Sequence, residues 1–185
     1  RPSWLGFVGP VLHCEVGDTM SITLLNNCSK PLTMHPHGMR YSKSFEGALY
    51  VDSDNSSRQE GVHTGYSFVY SWTCDEKAGP ANRDMSSVVW PFHSHNPSIV
   101  DVYSGLIGAI IVTARGAARP DASPRDVDLE IVLYLSVTDE SQSYLLDRNI
   151  DDFIVAAGRP LAEAARHELK QDPHFLEGNM MHGIN

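Results

Sequence analysis

The chain has 185 residues, 42% hydrophobic and 20% charged, with a formal net charge of −9 at pH 7. That length supplies one full domain, or one domain plus part of another, and the composition supports a packed core. The acidic balance argues against nucleic acid as the main partner, because phosphate binding wants clustered Lys and Arg.

From Trp4 to Leu25 the text reads as short strands, with Gly9-Pro10 and Gly17-Asp18 as turns. Met20 to Leu24 alternates apolar with polar, as a half-buried strand does. Asn26 to Lys30 is a polar turn and Leu32 to His37 a further strand. Gly38 to Gly65 is polar and loop-rich. Tyr66 to Trp72 is aromatic and alternating, hence a strand, and Asp75 to Ser87 is a loop. Val88 to His95 and Leu106 to Thr113 add two strands, with one short helical turn at Ile99 to Tyr103 between them. Gly116 to Pro124 has a linker's composition, so a boundary falls near residue 120: residues 1–118 form one domain and 119–185 the truncated start of a second. In the second part Val127 to Val137 reads as a strong β run, and Pro160 to Leu169 as the one credible helix. Short strands with frequent turns predict an all-β sandwich.

No apolar run approaches the roughly 18 residues of a membrane-spanning helix. The chain opens on Arg1-Pro2-Ser3-Trp4 without an initiator Met or signal peptide, and so reads as a processed or excised piece. Cys14, Cys28 and Cys74 are an odd number, leaving at least one thiol unpaired within the chain. Asn27-Cys28-Ser29 and Asn55-Ser56-Ser57 fit the glycosylation acceptor pattern of secreted proteins.

The chemistry sits in Met34-His35-Pro36-His37-Gly38 and Pro91-Phe92-His93-Ser94-His95. On a strand, residues i and i+2 share a face and lie roughly 6.5–7 Å apart, so each His-x-His directs two imidazoles to one side. Two such strands side by side bring four imidazoles into one small volume, a donor set that suits Cu, Zn, Fe and Ni. A zinc hydrolase would pair such ligands with a positioned Glu, and a cupin would follow one His-x-His closely with Glu. Here the nearest Glu after His37 is Glu46 and the second motif is another pair, so both fit poorly. His13, His63, His167, His174 and His182 stand apart and read as structural residues satisfied by hydrogen bonds.

At these residues the sequence resembles the multicopper oxidases, most closely their ceruloplasmin and hephaestin branch, to which the coagulation factor A domains are related. The matching text is WLGFVGPVLHCEVGDTM, PLTMHPHGMRYSKSFEGALY, WPFHSH and YSGLIGAIIV, with YLSVTDESQSYLL and NMMHGIN resembling the opening of a following unit. The resemblance implies a Greek-key cupredoxin-like β-sandwich whose leading strands are missing. It also implies a trinuclear copper cluster held by eight histidines between two cupredoxin domains of one polypeptide. Carried over, His35 binds the type 2 copper, His37 and His93 share one type 3 copper, and His95 binds the other. Oxygen is reduced to water there, with electrons from a reducing substrate such as Fe(II) passing through a type 1 copper. No His-Cys-His and no second set of four histidines occur here, so half a cluster is expected, inactive alone, from an extracellular or surface-anchored ferroxidase.

Two departures accompany the resemblance. The family's frequent disulfide, from just before the second His pair to the end of the SGLIG strand, has Ser86 or Ser87 and Thr113 or Ala114 in its place. The acidic cluster where the branch's calcium site lies is thin, around Asp52, Asp54 and Glu60, and calcium is not assigned. Two rival readings carry other functions: a non-enzymatic binding domain like the coagulation factor A domains, which have largely lost the paired histidines, and a copper carrier without turnover.

Overall fold

The computed structural model describes residues 6–48, 61–96, 98–155, 158 and 160–184. Two sheets build the first part of the chain. A mixed four-stranded sheet runs in the order β1 (Val11–Glu15), β6 (Ile107–Thr113), β5 (Ser87–His93) and β3 (His35–Pro36). A two-stranded sheet pairs β2 (Thr19–Leu25) antiparallel with β4 (Ser67–Thr73). β1 lies parallel to β6, while β6–β5 and β5–β3 are antiparallel.

Alternation explains the packing. On β2, Met20, Ile22 and Leu24 face in while Thr19, Ser21, Thr23 and Leu25 face solvent; on β4, Phe68, Tyr70 and Trp72 face in. They meet Val88, Trp90 and Phe92 of β5 and Ile110 and Val112 of β6, with Cys14, Cys74 and Ala78 fully buried among them. β6 is buried along nearly its whole length, which accounts for its unbroken apolar run Gly108 to Val112. The all-β sandwich expected from the sequence is the observed architecture.

Several boundaries differ. Of Leu32 to His37, only His35–Pro36 joins the ladder, because the preceding amides bond to side chains: Thr33 N–H to Ser94 Oγ at 3.0 Å and Met34 N–H to the Tyr70 hydroxyl at 3.1 Å. The β run at Val127 to Val137 is shorter than expected. Only β7 (Leu135–Asp139) is paired, with β8 (Met180–Ile184), and Leu129, Ile131 and Leu133 lie exposed with no sheet against them among the described residues. Helix is also more frequent than the sequence suggested. Besides α1 (Ser98–Tyr103) and α3 (Glu163–Leu169), the chain forms α2 (Leu146–Ile150), a π-helical turn (Asp151–Val155) and α4 (Pro173–Gly178). The missed start signal for α4 is Asp172, whose carboxylate accepts from the amides of His174 and Phe175 ahead of Pro173.

The linker-like stretch is an ordered turn. Arg119 donates to the carbonyls of Pro124 at 2.6 Å and Val127 at 2.9 Å, and Ala118 bridges Pro124. His13 pairs with Glu130 at 2.7 Å, tying β1 to the segment after that turn. Ser87 stands opposite Thr113 in the β5–β6 ladder, so serine and threonine occupy the place where the family frequently has a disulfide. Asp52, Asp54, Glu60 and the Asn55 triplet lie outside the described residues.

Gly38 closes β3 at φ +71°, and a Cβ there would sit 2.3 Å from the Trp90 ring. Gly65 has a similar φ, +83°, but open space around it. Gly65→Ala should therefore cost only the left-handed penalty, about 1–2 kcal/mol. Gly38→Ala adds overpacking and should cost about 2–4 kcal/mol. Urea unfolding of the two variants checks this; equal losses would show that Trp90 yields freely.

Candidate metal centre

The β3–β5 ladder sets His35 directly against His93 and Pro36 against Phe92. His37 continues the pairing, its amide donating to the Pro91 carbonyl at 3.0 Å. Extended the other way, the same register places His95 beside Thr33, and His95 N–H donates to Thr33 Oγ1 at 2.8 Å. Side chains two apart share a face, so all four imidazoles project from one side of the ladder. The His35 ring lies 5.2 Å from His37, 5.6 Å from His93 and 5.3 Å from His95, centroid to centroid. His93 lies 5.2 Å from His37 and 5.6 Å from His95. The two sequence motifs thus become one cluster with His35 and His93 at its centre.

Hydrogen bonds orient two of the rings. His35 Nδ1 donates to the Glu46 carbonyl at 2.7 Å, and His93 Nδ1 to the Ser94 carbonyl at 2.8 Å. In each ring Nδ1 is therefore a donor, which leaves Nε2 as the nitrogen available to a metal. His37 Nε2 approaches His93 Nε2 at 3.0 Å. Burial, and then the neighbouring imidazoles, push the His37 pKa down; burial does the same to His93. Both shifts favour neutral imidazole, the form that ligates metal.

The donor set fits a transition metal. Two imidazole nitrogens, each roughly 2.0 Å from one ion, stand about 3 Å apart, and the His37 and His93 Nε2 atoms have that separation. Among the described residues no three His, Cys, Asp or Glu side chains converge on one ion position. The cluster offers two nitrogens to an ion and leaves the remaining coordination open.

Beneath the cluster lies a polar support that the motifs alone did not reveal. Ser94, between the second pair of histidines, is buried and turned away from them. Its hydroxyl accepts from Thr33 N–H at 3.0 Å and donates to Asp101 Oδ2. Asp101 Oδ2 also accepts from Asn96 N–H at 3.2 Å, while its Oδ1 is buried without a partner. Burial pushes the Asp101 pKa up, against the pull of those hydrogen bonds and of His95. The available signal was a lone carboxylate in the otherwise apolar stretch Ile99 to Tyr103. His13, His63, His167, His174 and His182 do not join the cluster: His13 pairs with Glu130, and His167 Nε2 lies 3.0 Å from Gln171 Nε2.

Comparison with known proteins places this geometry. Human hephaestin is 39% identical over the whole chain, which spans 16% of hephaestin's length. The mouse ferroxidase HEPHL1 is also 39% identical, with the chain again spanning 16% of it. Human ceruloplasmin is 33% identical, with the chain spanning 17% of it. Among solved structures, a multi-copper oxidase from Pseudomonas thermotolerans superposes on 74% of this chain and 28% of its own, with TM-score 0.51 at 22% identity, a likeness of fold. The curled, strand-rich architecture is accordingly of the cupredoxin type, and the family uses copper in type 2 and type 3 sites. A family model described as multicopper oxidase matches residues 6–117, and on that match the chain belongs to the multicopper oxidases.

Proposed function

We propose that this chain is part of a ferroxidase-type multicopper oxidase and that His35, His37, His93 and His95 are its share of a trinuclear copper cluster. The observation that carries the reading is the ladder register that gathers all four rings, with the His37 and His93 Nε2 atoms 3.0 Å apart. In this reading His37 and His93 hold one type 3 copper together, His95 reaches the other, and His35, central in the cluster, takes the type 2 copper. When bound, copper supplies the redox chemistry, joining four one-electron oxidations of a reducing substrate such as Fe(II) to reduction of O₂ to water. Another cupredoxin domain of the same polypeptide completes the ligand set, and the type 1 copper lies elsewhere in it. The two-nitrogen offer of the present cluster supports a shared site. Residues 1–118 form one cupredoxin domain and 119–185 belong to a second.

The chain's own residues hold the rings still. The Glu46 and Ser94 carbonyls fix the tautomers, and the Thr33–Ser94–Asp101 network clamps the backbone that carries His93 and His95. The resemblance to the ceruloplasmin and hephaestin branch implies a site of action outside the cell or at its surface. Asn27, exposed in the polar turn after β2, is then a glycosylation site.

In the full-length protein we expect several coppers per chain, a blue absorption band, a type 2 EPR signal and Fe(II)-dependent O₂ consumption. The double variant His35→Ala/His93→Ala should lose the type 2 signal and at least about 100-fold of the O₂ consumption, since ligand loss exceeds the cost of losing a ligand's support. A copper-free protein, with the variant indistinguishable from it, would leave a non-enzymatic domain as the better reading.

A second expectation concerns Asp101. Its folded pKa lies above the ordinary carboxylate value, so the folded state holds the proton more tightly than the unfolded chain. The stability this contributes is present below about pH 4 and is lost as pH rises through the raised value. Asp101→Asn cannot ionise. Its unfolding free energy relative to the parent should therefore rise across that window and level off above it, read by urea unfolding from pH 3 to 8. A pH-independent difference would mean that Asp101 is not perturbed.

A further inference from the structure

Cys14 and Cys74 stand outside the metal centre and have no part in the proposed chemistry. Cys14 lies on β1, opposite Val112 of β6. Cys74 directly follows β4, in the other sheet, its amide donating to the Asp18 carbonyl at 2.9 Å and its carbonyl accepting from Gly17 N–H at 2.7 Å. Residues 15–18 are the corner by which the chain leaves one sheet for the other. Cys74 is therefore pinned against the turn that starts at Cys14. Both side chains are buried in the common core, Cys14 1% and Cys74 0% exposed, and both are free thiols. The thiols share a hydrogen bond, which pushes Cys14 up and Cys74 down. Cys28, the third cysteine, is exposed and distant in fold, in the turn after β2.

We propose that Cys14 and Cys74 are a cross-linking site and form a disulfide that staples the two sheets of the sandwich when the chain matures in an oxidising compartment. Two thiols buried side by side at a pinned corner are placed to pair, and free cysteines in secreted proteins are uncommon. The oxidant is a disulfide, of a carrier protein or a small thiol. The Cys74 thiolate attacks one sulfur of it, forming a mixed disulfide and releasing the first thiolate. Cys14, having given up its proton, then attacks Cys74 Sγ and releases the second. Two thiols lose two electrons and two protons, and the oxidant disulfide becomes two thiols. Because both sulfurs are shielded in the folded core, the exchange belongs to folding, before the sheets close.

The test is a thiol map of the full-length secreted protein, acid-trapped, unfolded without reductant, alkylated and digested. The Cys14 and Cys74 peptides should appear as one joined species, 2 Da lighter than their sum and separated by reductant, while the Cys28 peptide appears alkylated. Recovery of both peptides singly alkylated would overturn the proposal, and so would either of them joined to Cys28. Copper content plays no part in the readout, so failure here is separable from failure of the oxidase reading.

Discussion

The structure turns on one antiparallel pairing, that of His35 with His93. A ladder register is an all-or-nothing quantity: a slip of one residue would send every side chain of β3 to the opposite face and scatter the cluster. With the register as observed, one direct pair and two diagonal neighbours bring four imidazoles together from a strand of two residues. So short a strand cannot hold its own register, since it contributes few ladder bonds. The pairing is held from its flanks: by His37 N–H on the Pro91 carbonyl at one end, and by Thr33 with Ser94 and His95 at the other.

Those flanks are themselves set by the core. The Trp90 ring packs where Gly38 has no Cβ, and its indole N–H reaches the Ala78 carbonyl at 2.8 Å, so the turn after His37 and the loop before β5 close on one aromatic side chain. On the other side, Tyr70 lends its hydroxyl to the Met34 amide and Trp72 its N–H to the Phe45 carbonyl. Phe45 precedes Glu46, whose carbonyl orients His35. The aromatic stripe of β4 therefore fills the core and also aims, through backbone atoms, the ring at the centre of the cluster.

Much of this was legible in the residues. Alternation at Met20 to Leu24 and Tyr66 to Trp72 marks strands within a residue or two of where they lie, because each has one buried and one solvated face. The paired His-x-His motifs mark the cluster, because strand periodicity alone puts both rings of a pair on one side. The remainder depended on tertiary partners. Leu32 to Met34 look like strand, yet Leu32 makes only an isolated bridge to Val62, and Thr33 and Met34 give their amides to side chains brought from distant segments. Val127 to Leu133 have the alternation of a strand, but a strand forms only where a neighbour offers its edge. Asp101 is a single carboxylate in apolar text, and only the fold shows that it meets Ser94 rather than water.

The order of causes at the metal centre matters for what kind of site this is. In small zinc modules the ion supplies the folding energy and the ligands come together only around it. Here backbone pairing, the Trp90 ring and a buried Thr–Ser–Asp network all bear on the ladder that carries the four rings, so the sheet has its own means of placing them. Neutral imidazoles can be crowded in this way at little electrostatic cost, and the depressed pKa values of His37 and His93 keep them neutral. The His37 and His93 Nε2 atoms, 3.0 Å apart, are the pair that this crowding brings together. In the proposed reading, where another domain supplies the remaining ligands, the sheet contributes the rigidity that a shared site requires.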